Sequence, residues 1–367
     1  MKKTVSIVLA GASLLSMVIA YGSGIMASKA EGAEATQIAA HMEALHLTTE
    51  WDKTFPKSDK VDHRKVTFIN RFGITLAADL YTPKNASGKL AALAVCGPFG
   101  AVKEQSSGIY AQAMAERGFI TLAVDPAFTG ESGGWPRNVA CPDICTEDFG
   151  AAVDFLSVQD NVDPERIGII GVCAYGGFAL NAAIIDTRVK ATVASTMYDL
   201  SRMLANGNLG DADSKEARDA QRKKMSAQRT EDFRNGDFAY LGGVPDEVPA
   251  STPAHFRQKL QNTINYYRKR GYHPRSLNSN GGSTSTYALS FINAPILHYL
   301  NELDSAAMVV IGEKALNKFY SDEAYAQMKG DNKKYLVVPG AVHIDLYDDT
   351  SVIPFDAIEE FFNEYLK

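Results

Sequence analysis

The stretch that decides the fold is IGVCAYGGFA, residues 170–179. The apolar run RIGIIGV leads into it, and the apolar helical pattern GGFALNAAIID leaves it. Gly171 stands two residues before Cys173, and Gly176 and Gly177 open the helix. Small residues at these places let a backbone reverse tightly between a strand and a helix. We therefore predict a sharp turn that lifts the Cys173 side chain above a sheet.

The sequence on both sides of this turn alternates between strand and helix patterns. KVTFINRFGITLAADLYTP predicts a β-hairpin, and LAALAVCG, FITLAVD, VKATVAST, AAMVVIGE and KKYLVVPG read as buried strands with helical patterns between most of them. This order predicts an α/β fold with a mostly parallel, doubly wound sheet. Charged helical stretches and Pro- or Gly-rich loops fill residues 201–290, which predicts a helical cap inserted between core segments 36–200 and 291–367.

The N-terminal residues read as an export signal. Two lysines, a mostly apolar run over residues 5–26 and the site Ala33-Glu34-Ala35 match the three regions of a secretory signal peptide. We expect cleavage after Ala35, so that 1–35 is removed and the mature protein is periplasmic and free of the membrane. The alternative is an uncleaved inner-membrane anchor, because the run approaches the length that spans a bilayer.

Composition limits the partners. The chain of 367 residues has a formal net charge of −6 without a basic stripe, which excludes nucleic acid as a partner and leaves a small-molecule substrate. No residue pattern implies a cofactor or a metal, and no His/Cys cluster suggests zinc. Cys141 and Cys145 either form a disulfide in an oxidising compartment or stay a free buried pair.

The predicted turn gives Cys173 the surroundings of a nucleophile. A thiol at a helix N-terminus feels the positive end of the helix dipole, and a neighbouring imidazole can take its proton, so we expect a raised thiolate fraction. The N–H of Ala174 and that of Phe99, in the loop after LAALAVC, are the expected donors to an oxyanion. Pro98 has no N–H to donate.

The base and the acid are sought after the later strands. His343 follows the run KKYLVV and is the one histidine in the position expected of a base. Glu313, directly after AAMVVIG, is the first candidate for the acid that orients it. Asp199 is the second candidate and Asp322 the third, whereas Asp304 precedes its strand and reads as a turn residue.

With these residues placed, the chain resembles the α/β-hydrolases related to dienelactone hydrolase. GVCAYGGFALNAA, YYRKRGYHPRS, IGEKALNKFYSDEAY and VPGAVHIDLYD are similar to a subgroup of exported bacterial hydrolases that has fungal polyketide acyltransferase relatives. The resemblance implies a Cys/His/acid triad on Cys173 and His343. Tyr175 departs from the small residue usual in the turn, so either the turn is wider or the ring lines the substrate pocket.

Three functions fit these residues. The first is a hydrolase of activated esters, lactones or thioesters that forms a thioester acyl-enzyme on Cys173, because a thiolate leaves more readily than an ordinary alkoxide. The second is an acyltransferase that uses the same acyl-enzyme. The third is a ligand-binding or thiol-redox protein on the hydrolase fold, in which Cys141 and Cys145 are the reactive pair.

Overall fold

An eight-stranded sheet organises the molecule. In chain order the strands are β1 (Val61–Ile69), β2 (Thr75–Pro83), β3 (Leu90–Cys96), β4 (Ile120–Val124), β5 (Val162–Val172), β6 (Val189–Ser195), β7 (Ala306–Gly312) and β8 (Lys333–Val338). Their order in the sheet is β1-β2-β4-β3-β5-β6-β7-β8. β1 and β2 form the antiparallel hairpin, β2 pairs antiparallel with β4, and every later pairing is parallel. The predicted mostly parallel sheet is confirmed.

The structure, a computed structural model, describes residues 41–84 and 86–367. Residues 43–367 form one compact unit. The predicted signal peptide 1–35 and its cleavage site lie outside the described residues. Within the described ranges, no helix combines the length and the apolar character that crossing a bilayer requires.

Helices follow the strands in the predicted alternation. They are α1 (Ser106–Ala115), α2 (Pro142–Ser157), α3 (Ala174–Ile185), α4 (Leu200–Asn206), α5 (Lys215–Asn235), α6 (Ala254–Asn265), α7 (Leu277–Asn280), α8 (Ala288–Phe291), α9 (Lys318–Gln327), α10 (Asp345–Asp348) and α11 (Phe355–Tyr365). A π-helical turn, Tyr266–Arg270, continues α6, and a 3₁₀ turn, Leu300–Glu302, precedes β7.

Both faces of the sheet are buried. Successive side chains of a strand point to opposite faces, and in β3 Ala94 packs into the cluster that holds Phe149 of α2 and Phe178 of α3. Its neighbour Val95 packs into the opposite cluster with Phe362 of α11. Because β3 must be apolar on both sides, it reads as a continuous apolar run and not as an alternating one.

The segment between β6 and β7 is helical. All of residues 196–305 are described, and they contribute α4 to α8 and the isolated bridge Tyr240–Thr284 but no strand of the sheet. α5 is mostly exposed and is capped at its start by the Ser214 side chain, which accepts a hydrogen bond from the Ala217 N–H. These helices match the predicted insertion, while its boundaries at 201 and 290 stay predictions.

Candidate active site

The turn between β5 and α3 holds Cys173 in a backbone conformation that few residues adopt, with φ 60° and ψ −128°. A Cβ on Gly171 would lie 2.0 Å from the Tyr175 carbonyl oxygen, and one on Gly177 would lie 2.3 Å from that of Tyr198. Both distances are far below van der Waals contact, so the glycines let the turn close. The conformation is the kind of backbone strain that is found at functional sites.

The Cys173 thiol is half-buried, and the N–H groups of Phe99 and Ala174 and the Tyr347 hydroxyl lie close to it. The two amides are those predicted as oxyanion donors, and the structure brings both to the sulfur. Burial raises the pKa of the Cys173 thiol, and these polar neighbours together with the Lys259 ammonium only partly oppose it. This direction runs against the expected rise in thiolate fraction.

His343 lies in the loop after β8, with 8 % of its surface exposed. Its Nδ1 lies 2.7 Å from Thr196 Oγ1 and 2.9 Å from Asn317 Oδ1, and its Nε2 lies 2.9 Å from the Tyr347 hydroxyl. Burial, and next the Lys259 ammonium, hold the pKa of His343 well below its usual value. The ring is therefore neutral at pH 7 and free to accept a proton.

The hydrogen bonds around Asn317 fix the tautomer of His343. The Asn317 amide nitrogen donates to the carbonyl oxygens of Thr196, at 3.2 Å, and of Met197, at 2.9 Å, so its oxygen faces the ring. The Nδ1 of His343 therefore carries the proton, and Nε2 accepts from the Tyr347 hydroxyl. With the phenol proton so directed, the phenol oxygen keeps a lone pair that can take a proton from the neighbouring Cys173 thiol. Tyr347 thus lies between the thiol and His343.

The predicted acids lie elsewhere. Glu313 is exposed, and its carboxylate accepts a hydrogen bond from the Gly340 N–H at 2.8 Å. Asp199 caps α4, and Asp322 pairs with a lysine of its own helix, α9. The position beside His343 Nδ1 is filled by an amide and a hydroxyl, so the prediction of Glu313 as its partner, with Asp199 as the alternative, is corrected.

The structure also corrects the expectation for Tyr175 and decides between the two alternatives for Cys141 and Cys145. Tyr175 is 2 % exposed and packs edge-to-face against Phe149 and Phe178. Its ring therefore points into the core and not into a substrate pocket. All four cysteines are free thiols, so Cys141 and Cys145 do not form a bridge.

Sequence reasoning missed Asn317, Tyr347, Thr196 and Lys259. The search for the third member of the triad considered carboxylates alone, although Asn317 stands four residues beyond Glu313 in the same loop. Tyr347 stands four residues after His343, a spacing at which two side chains share a helix face. That spacing was the available signal, and nothing local pointed to Thr196 or Lys259.

A cavity of about 270 Å³ opens beside His343. α6 and the loops after β7 and β8 line it, with Leu316, Val342 and Ile344 as apolar members and His255, Lys259 and Lys314 as basic ones. Lys259, half-buried, donates to the Tyr198 hydroxyl at 2.8 Å and to Asn208 Oδ1 at 2.9 Å. The cavity gives an acyl group a place next to the base.

A group of carboxylates away from this site has the composition of a cation site. Oxygens of Glu104, Asp125 and Glu131 lie within 4.8 Å of one another. The Lys103 ammonium lies 2.7 Å from each of these carboxylates. Burial lowers the pKa of Lys103, but the carboxylates outweigh it and raise the pKa above its usual value. The lysine occupies the place that a metal ion would need.

Comparison with known proteins assigns the family. The model of the X-Pro dipeptidyl-peptidase (S15) family matches residues 73–272, more than half of the chain. The chain belongs to this family. PA2218, an uncharacterized protein of Pseudomonas aeruginosa, is 54 % identical to this chain over 325 residues, which are 88 % of this chain and 86 % of the relative. The crystal structure of PA2218 superposes with a TM-score of 0.84 at 53 % identity and covers 88 % of this chain and 99 % of that one.

Other relatives of this S15 member have names that describe enzymes of acyl hydrolysis or acyl transfer. Thiohydrolase AneE of Aspergillus aculeatus is 35 % identical over 136 residues, 37 % of this chain and 42 % of the relative. Some further fungal relatives are named polyketide transferases. The α/β hydrolase GrgF of a Penicillium species shares the fold, with a TM-score of 0.69 at 21 % identity over 83 % of this chain and 99 % of that one. The predicted α/β-hydrolase fold and the predicted fungal relatives are confirmed, while a closer relation to dienelactone hydrolase stays a prediction.

Proposed function

We propose that this hydrolase cleaves activated acyl compounds, namely esters, lactones or thioesters, through a thioester on Cys173. One observation carries the proposal: the Cys173 thiol sits on a strained turn close to two backbone N–H groups and to the Tyr347 hydroxyl, which lies 2.9 Å from His343 Nε2. A nucleophile, a base and oxyanion donors thus meet at one atom, which is the arrangement that acyl transfer requires.

The reaction begins with a neutral thiol. As the sulfur bonds to the substrate carbonyl carbon, its proton passes to the Tyr347 oxygen while the phenol proton passes to His343 Nε2. The carbonyl oxygen becomes an oxyanion held by the N–H groups of Phe99 and Ala174. The imidazolium keeps its Nδ1 proton and donates it in a hydrogen bond to Asn317 Oδ1. Asn317 thus takes the place where related triads use Asp or Asn.

The second half of the reaction reverses these transfers. The leaving group departs with a proton returned through Tyr347, and the acyl group remains on Cys173. Water then attacks the thioester, gives its proton along the same path, and releases the acid and the free thiol. The tetrahedral intermediate can lose either the Cys173 thiolate or the leaving group of the substrate. Because a thiolate leaves more readily than an alkoxide, the acyl-enzyme forms efficiently only from substrates with good leaving groups. The name of its relative AneE, a thiohydrolase, supports thioesters among them.

Peptide cleavage, which the family name suggests, fits the site less well. A dipeptidyl-peptidase acts at a free amino terminus, and an α-ammonium needs a carboxylate partner. The cavity is lined by three basic side chains, His255, Lys259 and Lys314. Among the described residues, no aspartate or glutamate lines it. Such a lining repels an ammonium group.

Acyl transfer is the second candidate, because fungal relatives of the chain are named acyltransferase and polyketide transferase. A half-buried nucleophile limits the access of water, which favours a bound alcohol or amine as the acceptor. Product analysis with an added acceptor separates the two reactions, since transfer yields a new ester or amide in place of the free acid.

The decisive experiment is intact-mass spectrometry after mixing the protein with p-nitrophenyl hexanoate. We expect one hexanoyl group on the wild type and on Cys141→Ala, which removes another partly exposed thiol, and none on Cys173→Ala. Release of p-nitrophenol should show a burst that follows the same pattern. A hexanoyl adduct on Cys173→Ala, or turnover that survives this substitution, would refute the thioester mechanism.

A further inference from the structure

The Lys259 ammonium is incompletely partnered in its half-buried position. An ammonium has three N–H donors, and two of them are used by neutral oxygens of Tyr198 and Asn208. In the part of the chain that the structure describes, no carboxylate lies within ion-pair distance of it. A cation removed from water normally has an anionic partner. The Tyr198 and Phe256 rings lie 5.3 and 5.4 Å from the ammonium, but they carry no negative charge, and the third donor of Lys259 is open to an anionic ligand.

Lys259 lies where the proposed reaction would bind its substrate. Lys259 and His343 line the same cavity. The ammonium is close enough to influence both the Cys173 thiol and the His343 ring. Two more basic side chains, His255 and Lys314, share the wall. An acyl group bound at Cys173 with its far end in this cavity meets a positive, partly desolvated surface.

We infer that the cavity selects acyl groups with a terminal carboxylate, so that the substrates are half-esters or half-thioesters of short dicarboxylic acids. The carboxylate takes the third donor of Lys259, while the scissile carbonyl lies at Cys173. A neutral acyl group of the same length leaves the ammonium without an anion. This inference rests on the proposed acyl-enzyme function and names its substrate class.

The kinetic test compares two esters with one leaving group and one chain length, the p-nitrophenyl half-ester of adipic acid and p-nitrophenyl hexanoate. We expect the wild type to prefer the anionic ester in kcat/KM, and Lys259→Met to lower the ratio of the two values by roughly 10- to 100-fold, the range for one charge-assisted hydrogen bond. Lys334→Met, on an exposed lysine paired with Glu364, is the matched control and should keep the wild-type ratio. An equal loss on both esters would overturn the inference and assign Lys259 to the thiol alone.

The pH profile adds a second readout. Burial lowers the pKa of Lys259 to about 8, so the preference for the anionic ester should be full well below pH 8 and decline as the pH rises through 8 and the ammonium loses its proton. The other titratable groups that face it are Cys173, Tyr198, His343, His255 and Lys314. Burial raises the pKa of Cys173 and Tyr198 and lowers that of His343. A ratio independent of pH from 6 to 10 would contradict the inference.

A binding measurement separates this inference from the proposed function. Calorimetry of monomethyl adipate on Cys173→Ala needs no turnover, and the double variant Cys173→Ala/Lys259→Met should bind it at least about tenfold more weakly. Binding that depends on Lys259, in a protein that hydrolyses neither ester, would support the anion site and refute the hydrolase proposal. Hydrolysis of the hexanoate without binding of monomethyl adipate would do the opposite.

Discussion

Tyr347 is the residue on which the proposed proton path depends, because its hydroxyl lies between Cys173 and His343. Tyr347→Phe removes the hydroxyl and keeps the ring. We predict a fall in kcat/KM on an activated ester of about a hundredfold, the lower range for loss of a proton-transfer group. Tyr81→Phe is the matched control, since its buried hydroxyl has no hydrogen-bond partner, and it should retain wild-type activity. Equal activity of the two variants would show that the phenol carries no proton.

At the residue scale, the sequence predicted what is local and missed what depends on contacts between distant segments. Cys173, its two amide neighbours and His343 follow from the turn and from the end of a strand. The partner of His343 does not, because a buried site can hold an imidazole with an amide as well as with a carboxylate. Asn317 reaches the ring because its amide nitrogen is held by two carbonyls of the loop after β6, contacts that no spacing encodes.

The turn at the start of α3 is the element that sets the geometry of the site. Gly177→Ala would gain helix propensity, about 1 kcal/mol in an unconstrained helix, but its Cβ would lie 2.3 Å from the Tyr198 carbonyl oxygen. The backbone must move, and overpacking of this kind costs about 1–3 kcal/mol. We therefore predict a net loss of unfolding free energy together with loss of activity.

Urea unfolding measures the unfolding free energy of Gly177→Ala, and Gly242→Ala is the control variant. Gly242 is exposed, and a Cβ there would meet nothing within 4 Å, so its unfolding free energy should stay within about 0.5 kcal/mol of the wild type. A Gly177→Ala protein as stable and active as the Gly242→Ala protein would show that the turn tolerates a side chain.

At the element scale, the hydrophobic pattern predicted the eight strands and the helices that cover them, because burial on two faces leaves continuous apolar runs. It did not resolve the four-residue helices α7 and α8 or the π-helical turn after α6. Elements of one turn are too short to show a period. They are set by the contacts of the segment between β6 and β7 and not by its local sequence.

For the whole molecule, the buried ion cluster around Lys103 is a source of stability. Lys103→Ala removes the cation that contacts all three carboxylates and leaves Asp125 without an ion-pair partner, while Lys65 and Arg275 still pair with Glu131 and Glu104. Removing one member of a buried ion pair costs about 3–5 kcal/mol. We predict this loss in thermal and urea unfolding, with part of it restored by millimolar Ca²⁺ or Mg²⁺, which prefer oxygen ligands.

The control for this prediction is Lys190→Ala, which removes an exposed lysine 3.7 Å from Glu165. Exposed pairs contribute below about 1 kcal/mol, so this variant should unfold like the wild type and ignore divalent cations. A Lys103→Ala protein that does the same would show that the cluster contributes no net stability.

The cation that faces the acyl cavity belongs to α6, whereas the thiol, the imidazole and the oxyanion donors belong to segments at the ends of the core strands. In the proposed function, two separate parts of the chain therefore govern the choice of substrate and the cleavage of the bond. Substitutions in α6 can alter which acyl group is preferred without disturbing the turn at Cys173. Duplicated copies of such a gene can therefore diverge in substrate preference while they keep the same reaction.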